Sequence, residues 1–312
     1  MGAPPPWAIR PGQTDPTALG SDWELHFGVY NGWQFGFGTP WSIESVDGFA
    51  DMMELKTQDA TVPGDGEAFG EDWEKKRVLT VSFGSALAMV ERCFPQNPGV
   101  VRDLLAEARC AMMRRGDEGD LPLDLNGRWT LMARPRVFKA PQRRGTPPEV
   151  SVAWEAEDPT LYSPDEQMAT VGLETVGRGR EYPRPSGSPG HTPGSWRYPE
   201  AGGSGLLVIR NEGCRRTFLR ARMTGPVHHP MLINNDTFQR IEFAVDLAAG
   251  DVLDVDMRRG TVFLNGDAPR YDRITRDSSW FAIAPQRNVP VRYASRGEIT
   301  DSTCTLWWRS AW

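Results

Sequence analysis

Apolar and polar residues alternate along two segments of the first half of the chain, and this period is typical of half-buried β-strands. The two segments are Trp23–Gly28 and Arg77–Phe83. The same pattern predicts strands at Trp129–Ala133 and Val150–Ala156, with several prolines breaking up the stretch between them. Those prolines are Pro135, Pro141, Pro147 and Pro148.

A helical period occurs in one segment only. Apolar residues recur there at spacings of three and four, namely Val101, Leu104, Leu105, Ala108 and Met112. Arg114-Arg115-Gly116 follows and supplies a basic last turn and a glycine stop. We therefore predict a helix over about residues 98–115.

From Gly205 onward the pattern is that of strands throughout, and it predicts a β-sandwich of about eight short strands. The predicted strands are Leu206–Arg210, Thr217–Met223, Ile241–Val245, Val252–Asp256, Thr261–Leu264, Trp280–Ile283, Val289–Tyr293 and Cys304–Trp308. The segment 251–266 is predicted to be a hairpin that turns at Arg258–Gly260.

The composition agrees with this pattern. The 32 glycines and 26 prolines among 312 residues weigh against a helical bundle and favour short strands joined by turns. The 13 Phe, 12 Trp and 6 Tyr weigh against disorder, because such side chains usually bury against something. The predicted fold class is mainly β with one substantial helix.

Four segments are predicted along the chain. Residues 1–19 form a Pro-rich extended arm, 20–167 a β domain that contains the helix, 168–204 a Gly- and Pro-rich linker, and 205–312 the sandwich. Charge also divides unevenly. Residues 1–165 carry 16 basic and 25 acidic side chains, net −9, and residues 166–312 carry 19 and 16, net +3. Two parts with different surfaces are therefore expected.

The four cysteines do not form a close pair or a CxxC motif. This argues against a disulfide framework or a zinc site and indicates a reducing compartment. The N-terminal residues lack the basic and apolar regions of a secretion signal. No apolar stretch approaches the roughly 20 residues that cross a bilayer, so no membrane association is expected.

We predict no metal or cofactor site. Adjacent His228 and His229 would point to opposite faces of a strand and could not easily share one metal ion, so a polar turn before Pro230 is the favoured interpretation. Asp254 and Asp256 would share a strand face near Asp251. Without the glycine-bearing loop of a calcium site, they are interpreted as solvated strand edges.

Catalytic motifs are absent from the sequence: there is no GxSxG, HExxH, GxxxxGK[ST] or strand-linked GxGxxG. Carboxylates are plentiful, but the sequence does not pair any two for glycoside hydrolysis. We therefore predict no catalytic residue and no enzyme activity. Tryptophans such as Trp7, Trp23, Trp33, Trp41 and Trp73 could stack on sugars, although core or interface positions are commoner.

The order of several segments resembles the siphophage tail component family, whose members are called distal tail or minor tail proteins. The C-terminal segments are Thr224–Val227, Pro230–Asn235, Gln239–Phe243, Leu247–Asp256, Val262–Gly266 and the closing Leu306–Trp312. The first half follows the family order of strand, long loop, strand pair and helix, and then Arg134–Phe138 and Ala153–Pro159.

This resemblance implies a structural virion protein at the tail tip, assembled in the host cytoplasm. Family members form a ring, usually a homohexamer, whose N-terminal domain joins the major tail tube protein to the hub and fibre proteins, with the tape measure protein as a possible further partner. The C-terminal domain is a galectin-like sandwich, and DNA passes through the ring without specific binding. A carbohydrate-binding tail module is the alternative function, and a tail-borne hydrolase comes third.

The acidic stretch of the first half is a candidate for the channel wall of such a ring, where negative charge would repel DNA phosphates. An exposed loop at an interface with neighbouring rings is an equal alternative. The candidate residues are Asp47, Asp51, Glu54, Asp59, Asp65, Glu67, Glu71 and Asp72. The arm from Pro4 to Leu19 is expected to lie across a neighbouring subunit.

Overall fold

The computed structural model describes most of the two halves of the chain. The described residues are 24–49, 55–56, 60–61, 67–68, 73–83, 99–113, 120–141, 149–174, 180–183, 195–198, 204–297 and 300–312. The chain divides into two compact units, Met1–Pro164 and Asp165–Trp312. The arm predicted over residues 1–19 lies outside the described residues.

The first unit contains eleven described strands and one helix. They are β1 (Phe27–Tyr30), β2 (Trp33–Gly36), β3 (Ile43–Asp47), β4 (Leu55–Lys56), β5 (Ala60–Thr61), β6 (Glu67–Ala68), β7 (Trp73–Glu74), β8 (Arg77–Phe83), α1 (Gly99–Met112), β9 (Leu121–Leu125), β10 (Trp129–Lys139) and β11 (Val150–Ala156).

Seven of these strands form one antiparallel sheet in the order β2-β1-β9-β10-β11-β8-β3. Strands β8 and β11 have the predicted bounds, but β10 continues beyond Ala133 to Lys139. It passes through Pro135, where the expectation of a break was wrong. The register with β11 shifts between Pro135 and Val137, and such an irregularity accommodates a residue that has no N–H to donate.

Aromatic side chains fill the core of this unit. Trp33 lies at its centre, with ring centroids 5.1 Å from Phe35, 5.3 Å from Trp41 and 5.4 Å from Phe83. Trp154 stacks on Phe35 at 5.7 Å. Since these side chains are almost fully buried, Trp33 and Trp41 serve packing rather than sugar contact. Trp7 and Trp23 lie outside the described residues.

Helix α1 confirms the predicted helical period. It buries Leu104, Ala108, Ala111 and Met112 along one face. Its described last turn receives a hydrogen bond from the Asn31 side chain, whose Nδ2 donates to the Ala111 carbonyl at 3.1 Å. This bond satisfies one of the carbonyls that a helix end leaves without an intrahelical partner.

The second unit contains fourteen described strands and one 3₁₀ turn, Tyr271–Arg273. The strands are β12 (Gln167–Gly172), β13 (Arg180–Pro183), β14 (Ser195–Tyr198), β15 (Leu206–Asn211), β16 (Arg220–Thr224), β17 (Val227–His228), β18 (Pro230–Asn234), β19 (Arg240–Glu242), β20 (Asp246–Leu247), β21 (Val252–Asp256), β22 (Thr261–Leu264), β23 (Ala268–Pro269), β24 (Arg287–Ser295) and β25 (Thr303–Trp308).

Two sheets of this unit share one core and form a β-sandwich. The first sheet has the order β12-β25-β16-β21-β22-β23 and the second the order β15-β24-β18-β19. One buried cluster contains residues from both, among them Met223, Leu253 and Leu306 from the first and Ile209 and Val291 from the second. The fold-class prediction, mainly β with one helix, is confirmed.

The expected linker starts too early at Met168. Strand β12 pairs with β25 along residues 167–172, so this segment belongs to the sandwich sheet. Only Ala169 and Val171 of this strand pack against the core, so its alternation of apolar and polar residues is short. The Gly- and Pro-rich sequence that follows led to the prediction of a linker here. Strands β13 and β14 form a separate hairpin inside the expected linker.

One predicted strand of the sandwich is also corrected. Trp280–Ile283 contributes only an isolated bridge between Ile283 and Thr217, although Phe281 and Ile283 are buried as the pattern indicated. The hairpin of β21 and β22 around Arg258–Gly260 is confirmed. Among the described residues, no helix is both long and apolar enough to cross a bilayer.

Candidate functional site

A groove of about 420 Å³ lies on the outer face of the six-stranded sheet. The side chains that give it chemical character are Arg220, Arg222, Asp254, Asp256, Phe263 and Trp307. They come from β25, β16, β21 and β22, which are consecutive in the sheet, although β16, the β21–β22 hairpin and β25 are well separated in the sequence. The pairing of these strands in the sheet therefore brings the groove residues together.

Alternation within each strand aims these side chains outward. In β16, Ala221 and Met223 are buried in the core, which leaves Arg220 and Arg222 on the other face. In β21, Leu253 and Val255 are buried in the same way, so Asp254 and Asp256 share the outer face as predicted. Trp307 of β25 lies directly opposite Arg220.

Ion pairs hold the charged groups of the groove in place. Arg222 donates from Nε to Asp254 Oδ1 at 2.6 Å and from Nη2 to Oδ2 at 3.2 Å. The bond to Asp254 raises the pKa of Arg222 above its usual value. Arg220 Nη2 lies 2.7 Å and 2.6 Å from the two carboxylate oxygens of Glu166.

Trp307 presents its ring to both guanidinium groups. The Arg220 and Arg222 guanidinium carbons lie 6.0 Å and 5.9 Å from the ring centroid, at the outer limit of a cation–π contact. A half-buried aromatic ring bordered by planar donors and carboxylate acceptors can bind a polar ligand that also has an apolar face. Sequence reasoning did not single out Trp307, because its neighbours become visible only with the sheet order.

The predicted channel acids are described only in part. Asp47 is an exposed residue at the end of β3, paired in register with Thr80. Glu67 lies in β6, whose backbone pairs with β5. The remaining candidates lie outside the described residues: Asp51, Glu54, Asp59, Asp65, Glu71 and Asp72.

The expectation that His228 and His229 point apart is wrong. His229 has a φ of 46°, in the left-handed region, and the two rings stack with centroids 4.3 Å apart and planes 21° apart. Side chains alternate between faces only while the backbone stays extended. Ligand atoms of His228, His229 and Asp246 all lie within 4.8 Å of one another.

Asp251 has a structural role at the base of the β21–β22 hairpin. Its carboxylate accepts bonds from the Asn265 side chain at 3.1 Å and from the Ala248 backbone N–H at 2.9 Å. The bond from Asn265 is the main cause that lowers the pKa of Asp251. Asp256 similarly accepts from the backbone N–H groups of Arg258 and Arg259 in the turn. These bonds explain two of the three clustered aspartates without a cation.

Comparison with known proteins supports the resemblance seen in the sequence. Residues 212–312 match the family model described as the siphovirus-type tail component, C-terminal domain. No curated protein matches the chain.

Two solved structures are similar over most of the chain. The SPP1 Dit (gp 19.1) protein, described as a paradigm of the hub adsorption apparatus in phages that infect Gram-positive bacteria, is 13% identical with a TM-score of 0.55, covering 92% of this chain and 98% of that chain. A chain of the phage p2 baseplate in its activated conformation with Sr is 9% identical with a TM-score of 0.43, covering 86% and 90%. The likeness to SPP1 Dit shows a shared fold.

Proposed function

We propose that this protein is a structural subunit of a phage tail tip, a distal tail protein that assembles with copies of itself into a ring, most simply a homohexamer. The observation that carries the proposal is the family match of residues 212–312. The fold shared with SPP1 Dit supports it, because that likeness extends over 92% of the chain and so includes the first unit.

The first unit offers an edge for subunit association. Among the described residues, strands β2 and β3 end the seven-stranded sheet, and no described strand of that sheet pairs with their outer sides. Edge strands of this kind pair readily with another chain. A ring closes through heterologous contacts, in which one such surface meets a different surface of the next subunit.

The ring joins the tail tube protein above to the hub and fibre proteins below, with the tape measure protein as a further contact, and it leaves a channel for DNA. Some of the acidic residues between Asp47 and Asp72 line that channel, and their negative charge keeps the genome from adhering. In this role the protein acts by shape and association, as a component of the virion, assembled in the host cytoplasm.

Native mass spectrometry and electron microscopy of the purified full chain test ring formation. A closed ring of about six copies is the expected species. A chain that stays monomeric at every concentration and is missing from purified virions contradicts the proposal. In a map of the assembled tail tip, Asp47 and its acidic neighbours on the outer rim would refute the channel role while leaving the ring intact.

The groove around Trp307 favours a second candidate function, binding of cell-surface carbohydrate. The aromatic ring would stack on a sugar while Arg222 and Asp254 form hydrogen bonds with its hydroxyl groups. A glycan array probed with the full chain and with Trp307→Ala tests this function. Signals that the substitution removes support it, and signals that persist in Trp307→Ala count against it.

A further inference from the structure

His228 and Asp246 are brought together by a short antiparallel pair of strands. Strand β17 pairs with β20, and His228 lies directly opposite Asp246 in the register. The imidazole Nδ1 is in direct contact with Asp246 Oδ1. About half of the His228 side chain and two thirds of the Asp246 side chain are exposed, so solvent reaches both groups.

The side chain of His229 lies beside His228 and Asp246 because the backbone of His229 is in the left-handed conformation. A φ of 46° is uncommon for a residue with a side chain, although histidine adopts it more readily than most. The turn stacks the His229 ring on the His228 ring. A backbone held in this region at the point where three metal-ligating groups meet suggests a functional site.

We propose that His228, His229 and Asp246 bind a divalent first-row transition metal of the zinc class. Two imidazole nitrogens and one carboxylate oxygen form a ligand set used at open tetrahedral zinc sites, in which water takes the fourth position. Ligand atoms of a tetrahedral zinc ion lie about 3.3 Å apart, as follows from bonds of about 2.0–2.1 Å. The present separations are all within 4.8 Å, so rotation of the exposed His228 and Asp246 side chains toward the half-buried His229 would close the site around an ion.

A buried carboxylate borders the cluster. Glu242 is 1% exposed, and its Oε1 lies 4.0 Å from His229 Nδ1, beyond hydrogen-bond distance but near enough to favour one orientation of the ring. Arg296 lies 2.5 Å from the same oxygen and balances the charge of Glu242, which leaves Asp246 as the anionic ligand. At Gly297, a Cβ atom would come within 2.7 Å of His228 Cβ, so glycine gives this imidazole its space.

Isothermal titration of the tag-free, chelator-treated full chain with Zn²⁺ tests the site, and the absorption spectrum of bound Co²⁺ reports its geometry. We expect one tight Zn²⁺ per chain and a tetrahedral Co²⁺ spectrum. His229→Asn keeps a residue that tolerates the left-handed backbone, and Asp246→Asn keeps the shape of the carboxylate. Each should weaken Zn²⁺ binding at least about tenfold, because removing even an outer-shell partner of a metal ligand typically costs about 10–100-fold in metal affinity.

His26→Gln is the matched control, because His26 also lies near a carboxylate, 3.9 Å from Glu24, yet belongs to the first unit. It should bind Zn²⁺ like the unmodified chain. Circular dichroism establishes that all variants are folded. The proposal is overturned if the folded chain takes up no Zn²⁺, or if His229→Asn and Asp246→Asn bind it as tightly as the control. In that case the cluster is a hydrogen-bonded His–Asp pair.

Discussion

Arg222 and Asp254 face each other across strands β16 and β21 and are joined by two hydrogen bonds of 2.6 Å and 3.2 Å. Both side chains remain partly exposed, at 52% and 31%. Their paired, planar geometry fixes the floor of the groove, while water limits the energy that the pair contributes.

A double-mutant cycle with Arg222→Ala and Asp254→Ala should therefore give a coupling energy of about 0.2–1 kcal/mol. The coupling should shrink as salt is added, because exposed charges are screened. Urea denaturation of the four proteins at low and high salt measures it. The matched pair Arg210 and Glu212, in contact at 3.2 Å and more exposed, should couple more weakly. An Arg222–Asp254 coupling that does not depend on salt would contradict this account.

Removing a central aromatic side chain of the first unit should lower the free energy of unfolding far more than breaking the Arg222–Asp254 pair. Trp154 is fully buried and packs on Tyr30, Trp33 and Phe35. Trp154→Ala should lower the free energy of unfolding by about 3–5 kcal/mol, since it leaves a large cavity. Trp154→Phe should cost much less, because the indole N–H has no hydrogen-bond partner among the described residues.

Phe37→Ala is the control for this substitution, since Phe37 is 53% exposed. It should leave the midpoint of chemical denaturation nearly unchanged. An equal effect of Trp154→Ala and Phe37→Ala would mean that the aromatic cluster is not the core of the first unit.

Stability of the second unit should fall at alkaline pH. Burial raises the pKa of the Tyr293 phenol and of the Cys304 thiol above their ordinary values of 10.0 and 9.0. Both groups thus stay neutral in the folded state, while the unfolded chain ionises as the pH passes those ordinary values. The stabilisation is complete below about pH 9 and is lost as the pH rises further.

Urea denaturation between about pH 8 and pH 11 measures this loss. Tyr293→Phe should make the decline above pH 10 shallower, since it removes the group that ionises. At neutral pH it should cost about 0.5–1.5 kcal/mol, the worth of the 2.6 Å hydrogen bond between Tyr293 and Ser302. Tyr271→Phe, at an exposed tyrosine, serves as control; if both variants show the same decline, burial of Tyr293 is not its source.

Gly213 lies so close to another backbone segment that a side chain cannot fit. A Cβ atom there would come 1.7 Å from the carbonyl oxygen of Ala311. Gly213→Ala should destabilise the sandwich by about 1–3 kcal/mol or more, because backbone must move to make room. Gly172→Ala is the control, since its nearest contact would be an ordinary 3.8 Å. Thermal denaturation compares the two, and a tolerated Gly213→Ala would refute the close approach.

The alternation of apolar and polar residues correctly predicted the strands whose burial follows from neighbouring positions in the sequence. Strands β8, β11 and β21 have the predicted bounds because buried residues alternate with more open ones along each of them. Strand β22 also has its predicted bounds, although only Val262 is buried in it. The chemistry of the groove could not be predicted in this way. Trp307 meets Arg220 only because β25 pairs with β16, a pairing across 87 residues that no local pattern encodes.

The histidine cluster shows a different limit. His228 and His229 are adjacent in the sequence, and the rule that successive strand residues point to opposite faces predicted that their side chains would point apart. The left-handed backbone at His229 interrupts the extended strand. Histidine tolerates this conformation better than most residues, but its presence in the sequence does not predict it. The opposing Asp246 is again a matter of strand pairing.

The pairing of β12 with β25 also determines where the sandwich could be cut from the rest of the chain. A fragment that starts at Gly205 would lose β12 and leave the whole length of β25, from Thr303 to Trp308, without its outer neighbour. That bare strand, which includes Trp307 and Trp308, would invite pairing between molecules and precipitation during expression. A fragment that begins ahead of Gln167 keeps the strand covered and is the one to produce for work on the isolated domain.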